Sequence, residues 1–347
     1  MKILVTGAAG FIGFHLVKKL SSIMGHCVIG IDNINDYYDV NLKYARLYHC
    51  GIQQEAIQYG KKIQSALLSN YCFIKLDITD NEKLSALFAE ENFECVCNLA
   101  AQTGVRYSLE NPHAYTESNI TGFLNILEAC RNFTIKRLVF ASSSSVYGIN
   151  EKTPFAVTDA VDHPVSLYAA TKRANELMAY TYSHLFNIPS TGLRFFTVYG
   201  PWGRPDMAYY KFARAIFNNK PIEVYNHGNM LRDFTYIDDI TDGIIAAINR
   251  IPDGNEPAGN QRSSAPFVLY NLGNNRPEKL TVFIEILEKQ LGRTAEKIFL
   301  DMQAGDVPVT MADIDMTKAG LGWQPVTSIT DGLKLFAQWF LEYHDIT

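Results

Sequence analysis

Near the start of the chain a short apolar run, Ile3 to Thr6, passes directly into Gly7-Ala8-Ala9-Gly10-Phe11-Ile12-Gly13, and a helical pattern opens at once. Glycines spaced by three across a strand-to-helix turn let the backbone bend tightly and approach a pyrophosphate. The free amides of the helix start add partial positive charge. A plain tight turn would use the same glycines, so the surroundings decide. Asp32 closes the next apolar run, Cys27 to Asp32, where a carboxylate can accept both hydroxyls of an adenosine ribose. Asn33-Ile34 offers no arginine to neutralise a 2′-phosphate, which favours NAD over NADP.

Further apolar runs at Cys72 to Leu76, Cys95 to Ala100, Leu138 to Ser142 and Thr191 to Phe196 alternate with helical segments. Fully apolar strands of this kind predict an α/β fold, a doubly wound parallel sheet of the Rossmann type covered on both faces. The helix after the first strand carries Ile12, Leu16, Leu20 and Ile23 as an expected inward stripe. Asn33 to Asn70 is a long polar connection, read as an added helix or two over the cofactor mouth. After about Phe196 the pattern shifts to Pro, Gly and aromatic clusters with a short strand at Ile222 to Tyr225. We expect residues 1–190 to form the dinucleotide-binding domain and 191–347 a smaller α/β substrate domain, some of whose segments return to the first. Asp253 to Ala265 reads as a surface loop.

With 347 residues, 47% of them hydrophobic, the chain can bury a substantial core, which excludes a disordered or disulfide-scaffold class. Thirty-one basic residues against 36 acidic ones leave a net charge of −5, so no basic field for nucleic acid or an anionic membrane is visible. No apolar stretch approaches the roughly 20 residues of a bilayer span, and Met1-Lys2 runs straight into the first strand. A cytoplasmic protein is the expectation. Six cysteines, all before residue 131, lack metal or redox spacing and read as reduced, mostly buried thiols with no metal site.

Asp77-Ile78 and Leu99-Ala100-Ala101 end two strands at the carboxyl edge, where such sheets bind ligands and small side chains admit a dinucleotide. Asp77 can instead cap the helix that begins near Glu82. Tyr168 and Lys172 lie four apart in a helical run, Leu167 to Phe186, so both leave one face. A phenol with a reference pKa of about 10 becomes a base at neutral pH only if its anion gains roughly 4 kcal/mol of stabilisation. A neighbouring ammonium and a nicotinamide cation could supply it. Ser142-Ser143-Ser144-Ser145-Val146-Tyr147-Gly148 leaves the Leu138 strand at the same edge, placing hydroxyls where a reacting sugar oxygen would sit.

With Leu193-Arg194-Phe195-Phe196-Thr197-Val198-Tyr199-Gly200-Pro201 and Arg232-Asp233-Phe234 following in order, the chain resembles the extended short-chain dehydrogenases/reductases that act on nucleotide sugars. Within them it is most similar to the UDP-glucuronate 4-epimerases. That likeness rests on Ile31-Asp32-Asn33 with Asp36-Tyr37-Tyr38, Gly104-Val105-Arg106-Tyr107-Ser108, His163-Pro164-Val165-Ser166-Leu167-Tyr168-Ala169-Ala170-Thr171-Lys172 and Gly203-Arg204-Pro205-Asp206-Met207. The resemblance implies inversion at carbon 4 through a transient 4-keto sugar, with Tyr168 as base and NAD regenerated each turnover. It makes Ser143 the family's catalytic hydroxyl, sets Lys172 on the nicotinamide ribose and puts Asn119 near the cofactor. Arg232 is expected on the diphosphate, unless it pairs with Asp233. Asp306, in Gln303-Ala304-Gly305-Asp306, resembles a ribose-binding acid. Ser144, Ser145, Thr197 and Arg204, with Arg106 more weakly, are candidates for a sugar carboxylate.

Dehydratases and decarboxylases on this scaffold carry an acid just before the Val-Tyr-Gly segment, where this chain has Ser144 and Ser145. Epimerisation is therefore expected. The alternatives are a 4-epimerase of a 2-acetamido uronate or a neutral UDP-hexose, a dehydratase, or an NAD-sensing binding protein without chemistry. The resemblance also implies polysaccharide-precursor synthesis and a homodimer, whose four-helix contact would draw on Phe123, Leu127, Met178 and Leu185.

Overall fold

The computed structural model describes residues 1–254, 257–258, 261–303 and 306–345. Its centre is an eight-stranded sheet built from β1 (Lys2–Thr6), β2 (Cys27–Asp32), β3 (Lys62–Gln64), β4 (Tyr71–Lys75), β5 (Cys95–Asn98), β6 (Arg137–Ser143), β7 (Ser190–Phe195) and the strand Phe267–Leu272. In space they run Phe267–Leu272, β7, β6, β5, β1, β2, β4, β3. Every pairing is parallel except that of the edge strand β3 with β4. The chain builds outward from β1 through β2 to β4, then crosses back to set β5 on the other side of β1. That reversal opens a crevice at the carboxyl ends of β1 and β5.

Burial follows the period-two geometry of strands covered on both sides. Ile3 and Val5 of β1 join one apolar cluster, while Leu4 between them joins the other. Helix α1 (Phe11–Ser21) buries Phe11, Phe14, Leu16, Val17 and Leu20. Leu16 and Leu20 of the expected stripe are fully buried in this face, while Ile12, which also lines the crevice, and Ile23, beyond the helix end, are half-buried against the same core.

Two strands of the central sheet were not legible as such. β3 comes from the polar connection after β2, which also folds into helix α2 (Val40–His49). Phe267–Leu272, buried at every position, returns from the second half of the chain to extend the sheet beyond β7. The remaining second half forms a small sheet in which Thr197–Tyr199 runs parallel to Leu231–Tyr236, itself antiparallel to Pro277–Lys279. Ile222–Tyr225 pairs with Lys297–Leu300. In the Asp253 to Ala265 segment, Pro257–Ala258 pairs with Gln261–Arg262, while residues 255, 256, 259 and 260 lie outside the described residues.

Helices Phe123–Asn132 and Leu167–Phe186 pack over the sheet face opposite α1. Phe123 and Leu127, expected at a four-helix contact, are buried in the chain's own core, and Met178 packs against it. The large apolar side chains that these helices expose are Leu124, Leu177, Leu185 and Phe186.

Candidate active site

The crevice is a cavity of about 770 Å³ lined by both halves of the chain. At its floor the glycine turn is fixed by steric need. Gly7 has φ of +71°, a region that L side chains rarely adopt, and a Cβ on Gly13 would run into the Gly7 carbonyl oxygen. The Gly10 amide donates to Gly7 O at 2.9 Å, and Gly10 begins α1 with no side-chain cap. Gly7, Gly10, Phe11, Ile12 and Gly13 line the cavity, as do Leu99, Ala100 and Ala101 opposite. Bare backbone and uncapped helix amides form a cradle that any Cβ would fill, and so fit a dinucleotide.

Asp32 is buried beside that turn and accepts from the Ala9 amide at 3.1 Å and the Ile34 amide at 2.8 Å. Lys43 of α2 brings its ammonium to 3.9 Å from Asp32 and donates to Asn35 at 2.7 Å. Reading only the residues next to Asp32 misses this cation, which arrives through folding of the insert. Asn33 donates to Asp77 at 2.7 Å, and the other Asp77 oxygen accepts from the Thr79 amide at 2.8 Å. The helix at Asn81–Glu91 is capped by Asp80, so Asp77 faces the cavity with Asn33 and Ile78.

At the β6 edge the Ser143 hydroxyl lies beside the Tyr168 phenol, donates to Ser145 Oγ at 3.2 Å and accepts from the Ser145 amide at 3.1 Å. Burial pushes the Tyr168 phenol up from its ordinary value, while Ser143 and the Arg204 cation pull it down. Burial also brings the Lys172 ammonium down to about 8, and its Nζ donates to Ala141 O at 2.9 Å. One turn further along the same helix, Glu176 accepts from Ser142 at 2.6 Å and from Arg194 at 2.8 and 2.9 Å.

Ser144, Ser145, Thr197 and Arg204 surround the same end of the cavity, and Arg232, Arg106 and Asp306 lie toward the second half. Arg232 does not pair with Asp233, whose two oxygens accept from the Asn274, Asn275 and Ala312 amides. Its Nη1 donates to the Leu231 and Pro308 carbonyls. Arg106 and Asp306 bridge the mouth at 3.3 Å, with the Arg106 guanidinium over the Tyr225 ring. Ala304 and Gly305 lie outside the described residues.

Asn119 is the one site candidate that does not line the cavity. It sits in a wide π-helical turn, Thr116–Gly122, where its side chain accepts from the Gln102 amide at 2.8 Å and donates to Gln102 O and Thr171, each at 3.0 Å. With its polar atoms so engaged, it ties the loop after β5 to the helix of Tyr168. Sequence reasoning quoted Tyr37 and Asp206 within motifs without giving them a role, and it missed Lys43 and Arg46 altogether. Fully buried Arg46 donates to Ala9 O at 2.9 Å, Tyr38 Oη at 2.7 Å and Trp202 O at 2.7 Å, pinning the glycine turn to the loop that carries Arg204. No local spacing marks such a contact.

A dinucleotide cradle leading to a serine-tyrosine pair beside a buried lysine is the working arrangement of the short-chain dehydrogenase/reductase class. The model of the NAD dependent epimerase/dehydratase family matches residues 3–259. Protein CapI of Staphylococcus aureus is 52% identical to the chain over 350 residues, covering 99% of each. UDP-glucuronate 4-epimerase 4 of Arabidopsis thaliana is 46% identical, over 99% of this chain and 76% of that one. The UDP-glucuronic acid 4-epimerase of Bacillus cereus, solved in complex with UDP-glucuronic acid and NAD, superposes with a TM-score of 0.85. It is 33% identical, with 99% of this chain and 100% of that one covered. The chain therefore belongs to the NAD dependent epimerase/dehydratase family.

Proposed function

We propose that the protein inverts carbon 4 of a UDP-uronic acid, UDP-glucuronate to UDP-galacturonate, through a transient 4-keto sugar, with NAD kept from one turnover to the next. What carries this assignment is that Ser143 and Tyr168 meet in a cavity whose acids are all engaged. Asp32 takes backbone amides, Asp77 takes Asn33 and Thr79, Asp206 takes Arg204 and Tyr37, Glu223 takes Tyr225, and Asp306 takes Arg106. An elimination needs a spare acid to push a second proton, and among the described residues lining this cavity there is none.

When bound along the glycine turn, NAD supplies the two-electron acceptor and donor that carbon 4 needs. Gly7, Gly10, Gly13 and Asp32 would hold it there, with Lys172 as the residue to hydrogen-bond its nicotinamide ribose. Tyr168, ionised, takes the proton of the carbon 4 hydroxyl and returns it to the carbon 4 oxygen once the sugar has turned about its phosphate link and presents its other face. Ser143 shares that hydrogen throughout. Arg232 grips the diphosphate as a planar cation, so the nucleotide stays while the sugar rotates. Arg204, with Ser144, Ser145 and Thr197, holds the sugar carboxylate near the ring plane, where a β-keto acid resists loss of carbon dioxide.

Residues 1–190 hold the dinucleotide and 191–347 the nucleotide sugar, with β7 and Phe267–Leu272 packed into the first layer. Leu124, Leu177 and Leu185 form the apolar face on which a second copy docks through four helices. The six free thiols suit the reducing cytoplasm.

The test is to incubate the purified protein, without added reductant, with UDP-glucuronate and separately with its 2-acetamido analogue, following carbon 4 by NMR. Galacto-configured product from UDP-glucuronate is expected. Retention of configuration with both sugars would overturn the assignment.

A further inference from the structure

Arg204, assigned above to the sugar carboxylate, does not hang freely in the cavity. Its Nε donates to Asp206 Oδ1 at 3.0 Å and its Nη2 to Oδ2 at 2.7 Å, two bonds along one edge of the guanidinium. The same Oδ2 accepts from the Tyr37 hydroxyl at 3.2 Å. Tyr37 belongs to the insert after β2, far from Asp206 in sequence, and reaches it beside Gly104. There φ is +97° and a Cβ would collide with the Tyr37 hydroxyl. The Tyr37 ring is braced by Tyr107, with centroids 4.9 Å apart. All five residues line the cavity. Arg204 Nη1 has no hydrogen-bond partner among the described residues, so one edge of the guanidinium is tied and the other is left free to meet a ligand.

A carboxylate beside an anion-binding cation is costly on charge alone, because it repels the group that the cation must attract. Asp206 is held ionised all the same. Burial raises its carboxyl, but Arg204 and the hydrogen bonds from Arg204 and Tyr37 together bring it below the usual range. A long guanidinium side chain otherwise samples many rotamers, and two parallel bonds to a clamped acceptor select one. We propose that Asp206, clamped by Tyr37 in the space beside Gly104, is a positioning residue that aims the free edge of Arg204 at the sugar carboxylate and so sets the preference for a uronate over a neutral hexose. This rests on the assignment of Arg204 to that carboxylate.

Charge and positioning predict opposite signs, which makes Asp206→Asn decisive. Removing a negative charge would tighten binding of a carboxylate sugar if only Coulomb attraction counted. Loss of aim weakens it. In the holoenzyme, Asp206→Asn is expected to raise KM for UDP-glucuronate about tenfold, the loss of one charge-assisted hydrogen bond. Calorimetric affinities for UDP and UDP-glucose and the content of bound NAD should stay as in the parent. Tyr37→Phe should shift KM the same way by less, and Asp206→Glu should recover part of the loss. A KM for UDP-glucuronate that is unchanged or lower in Asp206→Asn overturns the proposal. So does an equal loss of affinity for UDP, which would make Asp206 a residue of loop folding. Arg204→Ala, measured alongside, separates the two assignments. If it too leaves KM for UDP-glucuronate unchanged, the carboxylate role of Arg204 has failed. If it raises KM while Asp206→Asn does not, only the positioning role has failed.

Discussion

Lys172 Nζ donates to the carbonyl of Ala141 at 2.9 Å, fastening the helix Leu167–Phe186 to the last residues of β6 just before the serine run. One helical turn later Glu176 takes the hydroxyl of Ser142 at 2.6 Å. These two contacts set the distance between helix and strand, and so bring the Tyr168 phenol onto Ser143. The lysine thus supports the chemistry twice, through its charge and as a strut.

Tyr168→Phe removes the acid-base group and leaves the packing of the ring. Turnover should fall about 10³-fold, within the range for loss of a general base. Dinucleotide released by denaturing the variant should match the parent, measured by absorbance. Parent-like turnover would exclude the phenol as the base.

Gly13→Ala puts a methyl against the Gly7 carbonyl oxygen and forces the turn open. The purified variant should carry little NAD while its far-ultraviolet circular dichroism remains that of the parent. Full NAD content would show that the turn tolerates a side chain.

Glu176 and Arg194 are each about 1% exposed and form a bidentate pair. Glu176→Gln leaves a buried guanidinium without its counter-charge, so urea unfolding should show a loss of about 3 kcal/mol or more. A loss within error would mean that water or the backbone carries the Arg194 charge.

His15 donates from Nε2 to Pro201 O at 3.0 Å, and burial brings its pKa down to about 3 from an ordinary 6.5. Between those values the unfolded chain binds more protons than the folded one. The contribution of His15 is therefore complete above pH 6.5 and is lost as pH falls toward 3. The Tm of the parent should drop between pH 7 and pH 5 more steeply than that of His15→Gln. Parallel curves would remove His15 as a source of acid sensitivity.

Leu177→Glu with Leu185→Glu places charge on the proposed docking face without touching the core, as both side chains are exposed. Light scattering after size-exclusion chromatography should show a monomer for the double variant and a dimer for the parent. A parent that runs as a monomer at micromolar concentration would dismiss the docking face.

The parts legible in the sequence are those that act over one strand, one turn or one helix. The Gly7 to Gly13 turn and Asp32 declare themselves through their places at strand ends, and Tyr168 with Lys172 on one helix face gain meaning only downstream of that turn. Asn119 shows the limit. The resemblance puts it near the cofactor, and nothing in its spacing tells that its amide is engaged with Gln102 and Thr171. Phe123 and Leu127 show another, because apolar residues at helical spacing look alike whether they face a core or a partner.

Local pattern determined most of the parallel strands and the dinucleotide turn, since each depends on backbone geometry and side chains within a few positions of one another, and the resemblance to a family added which residues are candidates to move a proton. Only the folded chain decided which cations are free and which are tied. Arg204 meets Tyr37 through Asp206, Arg46 joins Ala9 to Trp202, and Arg106 reaches Asp306 across the mouth. Those pairings join segments far apart in sequence, and a charge carries no mark in the sequence of which distant partner will lie within hydrogen-bonding distance once the sheet has closed.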